Sequence, residues 1–110
     1  MNTKFEFTGE TKVHFGVTLK RIRALVAIGS LVAAGELGGW IEKEENLWVS
    51  GNAWVYGNAW VYGNARVYGD AQVYGDAWVY GNARVYGDAW VYGNAQVSGD
   101  AWVYGNAQVY

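Results

Sequence analysis

The chain has 110 residues, a net charge of −2, no cysteine and no proline. That length suits one domain. The charge argues against a non-specific nucleic-acid or acidic-membrane binder, and the lack of cysteine excludes a disulfide framework and thiolate chemistry. Seven Trp, nine Tyr and 16 Gly are left to explain, and they call for a fold with many turns of one kind and room for many rings.

In chain order, Phe5 and Phe7 alternate with polar residues, Gly9 marks a turn, and Val13, Phe15 and Val17 alternate again, which predicts strands. Leu19, Ile22 and Leu25 lead into a further apolar run with a turn at Gly29-Ser30. Lys20, Arg21 and Arg23 before the stretch Ala24–Ala34 imitate the start of a secretory signal. Strand-like residues already precede them, however, and the run is too short to span a bilayer. The expectation is therefore a buried strand or irregular coil, no membrane association, and a cytoplasmic location. The basic cluster reads as a solvated strand face. Residues 1–44 are expected to form a small β-rich cap and a first irregular coil, entered near Gly38-Gly39-Trp40-Ile41, in one structural domain with residues 45–110.

From Gly51 to the last residue the chain is ten hexads of the form Gly-(Asn/Asp)-Ala-x-Val-(Tyr/Ser), and residues 45–50 fit the same frame with Leu47 in the Ala position. Internal repetition of this kind outweighs any other signal. A period of six is neither helical nor that of a continuous strand, and a Gly in every unit would cost a helix about 1 kcal/mol each. A short strand, a corner and another short strand satisfy it. Three hexads then make one triangular coil of about 18 residues, with successive coils stacked as parallel strands about 4.8 Å apart. Val49, Val55 and their successors to Val109, with Ala53 through Ala107, are expected to point inward. Gly-Asn and Gly-Asp are expected at corners needing positive φ, with Asn amides bonding up the stack.

The other two positions face outward. One column runs Trp48, Arg66, Arg84, Trp102, with Ser50, Tyr68, Tyr86, Tyr104 alongside. A second runs Trp54, Gln72, Trp90, Gln108, with Tyr56, Tyr74, Tyr92, Tyr110. A third runs Trp60, Trp78, Gln96, with Tyr62, Tyr80, Ser98. Stacked rings contribute roughly 0.5–1.5 kcal/mol per pair beyond their area, and Arg next to Trp adds a cation–π term of roughly 0.5–1 kcal/mol. Trp48, Trp54, Trp60, Trp78, Trp90, Trp102, Tyr68, Tyr86 and Tyr104 are thus the candidate binding surface, with the alternative that the ladders only stiffen the coil.

The frame V-x-G-[ND]-A-x resembles the hexapeptide-repeat, left-handed β-helix superfamily, which includes acyltransferases and gamma-class carbonic anhydrases. The stretches FEFTGET, TLKRIRAL and AGELGGWIEKEENL look like the opening of YdcK-like proteins of enterobacteria and their phages. The resemblance covers essentially the whole chain. It implies an all-β, left-handed parallel β-helix with an N-terminal cap, and a phage-encoded inhibitor of a host protein as one role.

The resemblance also sets a test for catalysis. Acyltransferases of the superfamily use a His base, and gamma-type carbonic anhydrases need three His on a metal. His14 is the one histidine, lies in the cap, and has no evident orienting partner. No catalytic residue, cofactor or metal site is therefore expected. Asp70 and Asp88 share a corner column but are interchangeable with Asn at such turns. The expectation is a non-enzymatic binding or scaffold protein that self-associates through its C-terminal coil (Val103, Val109, Tyr110) or an aromatic face, since no cap closes that end. A host protein is a further candidate partner. Carbohydrate or cell-surface binding and a degenerate acyltransferase are the alternatives.

Overall fold

The computed structural model describes residues 2–110. Three longer strands open the chain: β1 (Phe5–His14), β2 (Val17–Ala24) and β3 (Leu37–Ile41). A 3-10 turn at Glu44–Asn46 comes next. Then two-residue strands recur every six residues: β4 (Trp54–Val55), β5 (Trp60–Val61), β6 (Arg66–Val67), β7 (Gln72–Val73), β8 (Trp78–Val79), β9 (Arg84–Val85), β10 (Trp90–Val91), β11 (Gln96–Val97), β12 (Trp102–Val103) and β13 (Gln108–Val109). Among the described residues no helix is long and apolar enough to cross a membrane.

These strands assemble into a parallel β-solenoid of about four coils. Its three sides are the sheets β1-β2-β3-β5-β8-β11, β4-β7-β10-β13 and β6-β9-β12. Val55 lies on Val73, Val61 on Val79 and Val67 on Val85, the 18-residue register expected from three hexads. The same bonds recur in each coil: Trp54 N–H donates to Ala71 O at 3.1 Å, and Trp90 N–H to Ala107 O at 2.9 Å. Alternation puts Ala and Val inside, and from Ala53 to Val91 every such residue is essentially inaccessible. Corner glycines adopt positive φ, as at Gly75 (+70°). One corner carries an amide ladder, in which Asn64 Nδ2 donates to Asn82 Oδ1 at 3.3 Å and Asn82 Nδ2 to Asp100 Oδ1 at 3.2 Å.

The first coil departs from the expected frame. Ile41 pairs with Val61 and Leu47 with Val67, each twenty residues on. Leu47 therefore fills the inward Val position, and Val49, expected inside, is 49% exposed. Two extra residues between Leu47 and Val55 widen one corner. Lys4 ties that corner down: its side chain is 3% exposed and its Nζ donates to Trp48 O at 2.9 Å.

Burial lowers the Lys4 pKa from 10.5 to about 8, against an opposing pull from the Asp70 carboxylate. The folded chain thus loses this proton before the unfolded chain does. Stability is expected to rise as pH goes from about 8 towards 10, by about 2 kcal/mol. Tyr56, Tyr62 and Tyr74 then act oppositely. Desolvation raises their pKa values above 10.0, so the stability they contribute is lost as pH climbs further. Urea unfolding across this range would show the rise and the fall. Lys4→Met should abolish the rise alone, and an unchanged profile in that variant would remove Lys4 as its cause.

Candidate functional site

Each side of the solenoid carries an outward column, but the N-terminal segment treats the three sides differently. On the six-stranded side Trp60 and Trp78 stack at 4.6 Å with planes 5° apart. The β1-β2 hairpin curls over them. Register shifts between Phe7 and Thr11, beside Gly9 (φ +98°), bend the pair in the manner of a β-bulge. Lys12 Nζ then rests 4.0 Å from the Trp40 ring and 5.0 Å from that of Trp60. The His14 ring packs 4.6 Å from Trp60 and 4.9 Å from Trp78. His14 is thus a packing ring against this ladder.

The four-stranded side corrects one candidate outright. Trp54, expected on the surface, is fully buried. Phe5 meets it edge-on at 6.4 Å. Gly38 makes the room, since a methyl there would come within 2.6 Å of Trp54 Cζ2 and 2.8 Å of Ile22 Cγ1. Trp54 is a core residue at the junction with the cap. Lower on this side Trp90 is partly exposed and edge-on to Tyr74 at 6.2 Å. Tyr74 stacks on Tyr92 at 5.1 Å and Tyr92 on Tyr110 at 5.3 Å.

On the three-stranded side the cap meets the first coil through Lys4, whose Nζ donates to Trp48 O. The two extra residues of that coil move Trp48 into the tyrosine column, where it stacks on Tyr68 at 4.9 Å instead of lying above Arg66. Tyr68 and Tyr86 continue the column at 4.8 Å, and Tyr86 and Tyr104 at 5.4 Å. Beside this ladder Arg66 pairs with Arg84, and Arg84 with Trp102, in register. Among the described residues neither arginine forms an ion pair or lies over a ring, so the expected Arg–Trp cation–π contact is absent. Trp102 is 61% exposed. A cavity of about 370 Å³ opens at the upper end of the column, lined by residues including Glu44, Glu45, Trp48 and Arg66.

The candidate surface residues therefore do not form one face. Trp60 and Trp78 lie under the hairpin, Trp54 is interior, Trp90 stands on the second side, and Trp48, Tyr68, Tyr86, Tyr104 and Trp102 share the third. At the last coil Ala101 and Ala107 are exposed, Val109 is half-buried, and Val103 is nearly covered. Tyr110 is 82% exposed. Strands β11, β12 and β13 are the outer strands of their sheets.

Two residues that position this site escaped sequence reasoning. Lys4 looks like any surface lysine. Asn46 occupies the slot in register with Arg66 but is wholly buried. Its Nδ2 donates to Ala65 O at 2.8 Å and Gly63 O at 3.2 Å, and its Oδ1 accepts from Lys43 N–H at 2.9 Å and Glu42 N–H at 3.1 Å. The hexad frame hid it, because read from Glu45 it puts Asn46 where the repeats carry Asn or Asp, and only the pairing of Leu47 with Val67 moves it opposite Arg66.

Among the described residues no three His, Cys, Asp or Glu side chains cluster to hold a metal ion. The family described as YdcK beta solenoid repeat matches residues 49–63, 59–75, 77–93 and 95–110. No curated protein matches the chain. The repeat matches span more than half of the chain and coincide with the stacked coils, so the protein belongs to the YdcK beta solenoid repeat family.

Proposed function

We propose that the chain is a non-enzymatic binding scaffold, a rigid prism coiled in the left-handed sense of hexapeptide-repeat proteins, which associates with a second copy through an aromatic side, the four-stranded one. The observation that carries this is the aromatic row of that side: Trp90 is 40% exposed and edge-on to Tyr74, which stacks on Tyr92, and an exposed apolar surface of this kind marks a contact site. Docking of two copies there would leave the three-stranded side open to a partner. The family and fold do not indicate catalysis.

Light scattering on the full chain tests the assembly. A dimer is expected, and Trp90→Lys, which puts a charge on that side, is expected to give a monomer of unchanged circular dichroism. A wild-type chain that stays monomeric at high concentration would sink the self-association.

A further inference from the structure

The three-stranded side carries an arrangement that the scaffold's stability does not require. Arg66 and Arg84 are directly opposed in adjacent coils, about 4.8 Å apart along the backbone. Like charges so placed repel, by about 1 kcal/mol even at the dielectric of water. Yet neither arginine has a carboxylate partner among the described residues. Seven of the other eight hexads from Gly51 onward place Trp or Gln here without that penalty, if Trp54 is set aside as interior.

Hydroxyl bonds to the next coil are few: among the described residues Tyr80 and Tyr92 each make one, and Tyr56, Tyr62 and Tyr74 on the same two sides do not. On the other two sides Tyr80 Oη donates to Gln96 Oε1 at 3.4 Å and Tyr92 Oη to Gln108 Oε1 at 3.3 Å. On this side the matching slots hold Arg84 and Trp102, which offer no acceptor oxygen. Among the described residues the Tyr68 and Tyr86 hydroxyls have no such bond. The next position down the arginine column is Trp102, exposed and in ring contact with no other aromatic among the described residues.

We propose that the column Arg66–Arg84–Trp102 is a docking strip for an extended acidic glycan. The two guanidinium groups take carboxylates of its sugars, and the Trp102 indole stacks on a sugar face. This rests on reading the solenoid as a binding scaffold, but not on its self-association.

Charge and geometry select this ligand. Guanidinium binds carboxylate with two parallel hydrogen bonds. Two cations are too few for a nucleic-acid strand, whose affinity comes from neutralising many phosphates. The stacked tyrosines cover one another's faces and offer only edges and hydroxyls, so Trp102 supplies the free indole face in this column. Each hydroxyl of Tyr68 and Tyr86 can bond a sugar hydroxyl beside the arginines.

The test uses the full chain and oligogalacturonate, monitored by tryptophan fluorescence and calorimetry. Binding that weakens with salt is expected, with about a tenfold loss of affinity in Arg66→Gln and in Arg84→Gln. Gln already occupies the equivalent positions 72, 96 and 108, so these variants keep a residue the fold accepts. Trp102→Ala should weaken binding without changing the salt dependence. Four results would overturn the proposal: no binding at the highest soluble oligomer concentration, equal binding of the methyl-esterified oligomer, unchanged affinity in the double arginine variant, or equal binding of polyglutamate, which would reassign the strip to acidic peptides. Light scattering on the same samples reads self-association separately.

Discussion

Replacing Asn46 by leucine is expected to destabilise the protein by about 3–5 kcal/mol, although the two side chains are similar in size. The asparagine makes four hydrogen bonds from a fully buried position, two donated to carbonyls of the next coil and two accepted from Glu42 and Lys43. Leucine would leave three of those backbone groups, Lys43 N–H and the Gly63 and Ala65 carbonyls, without a partner, while Glu42 N–H keeps its bond to Val61 O at 3.2 Å; each group kept from water costs about 1–3 kcal/mol. The Asn46 amide does here what a strand N–H does elsewhere: it reaches Ala65 O, as Arg66 N–H reaches Ala83 O at 3.0 Å. It thereby holds the 3-10 turn against the second coil and sets the frame in which Trp48 meets Tyr68. Asn46→Asp separates the two halves of this role. The carboxylate can still accept from Glu42 and Lys43, but it would face the Gly63 and Ala65 carbonyls. Its loss should therefore be smaller in acid, where the protonated form recovers one donor. Urea unfolding of both variants measures this, and a loss below about 1 kcal/mol for the leucine variant would mean that water serves those groups equally well.

The second large effect is a contrast between two corner glycines. Gly81 and Gly105 have nearly the same backbone, with φ of +70° and +63°. Alanine at either is strained by roughly 1–2 kcal/mol for the left-handed conformation. At Gly105 a methyl would meet nothing within 4 Å, so the cost should end there. At Gly81 the methyl would lie 2.9 Å from Gly99 N and 3.3 Å from Gly99 O, both backbone atoms of the next coil. Backbone cannot swing aside as a side chain can, so the coils must part locally. Gly81→Ala is therefore expected to lose about 3–4 kcal/mol in total. Thermal unfolding of the pair gives the difference directly. Equal losses would show that the corner glycines answer only to φ and that close stacking of the corners is not a constraint.

Much of this architecture comes from local pattern. An inward valine every six residues, with a positive-φ glycine between, has few solutions, and each coil then meets a near copy of itself. Valine on valine and tyrosine on tyrosine result from repetition alone, so the columns from position 54 onward were readable as they stand. Leu47 was misplaced because the six residues from Glu45 fit the hexad spacing by composition. The deciding fact was a contact twenty residues ahead, held by the Asn46 side chain and braced by Lys4.

The candidate site divides in the same way. That Trp and Tyr leave the core, and that Arg66 and Arg84 fall in one column, is dictated by a period of six and a register of three units. Which of these rings meets solvent depends on residues outside the repeat. Trp54 and Trp90 sit in hexads that differ only at the corner, Asn52 against Asp88, yet one is sealed beneath Phe5 and the cap while the other is open. Trp60 and Trp78 lie beneath a hairpin whose bend arises from a bulge beside Gly9. Direction in or out is a property of strand alternation, which a single segment carries within itself. Burial requires a second segment to arrive, and the route of that non-repeating segment is settled by long-range packing.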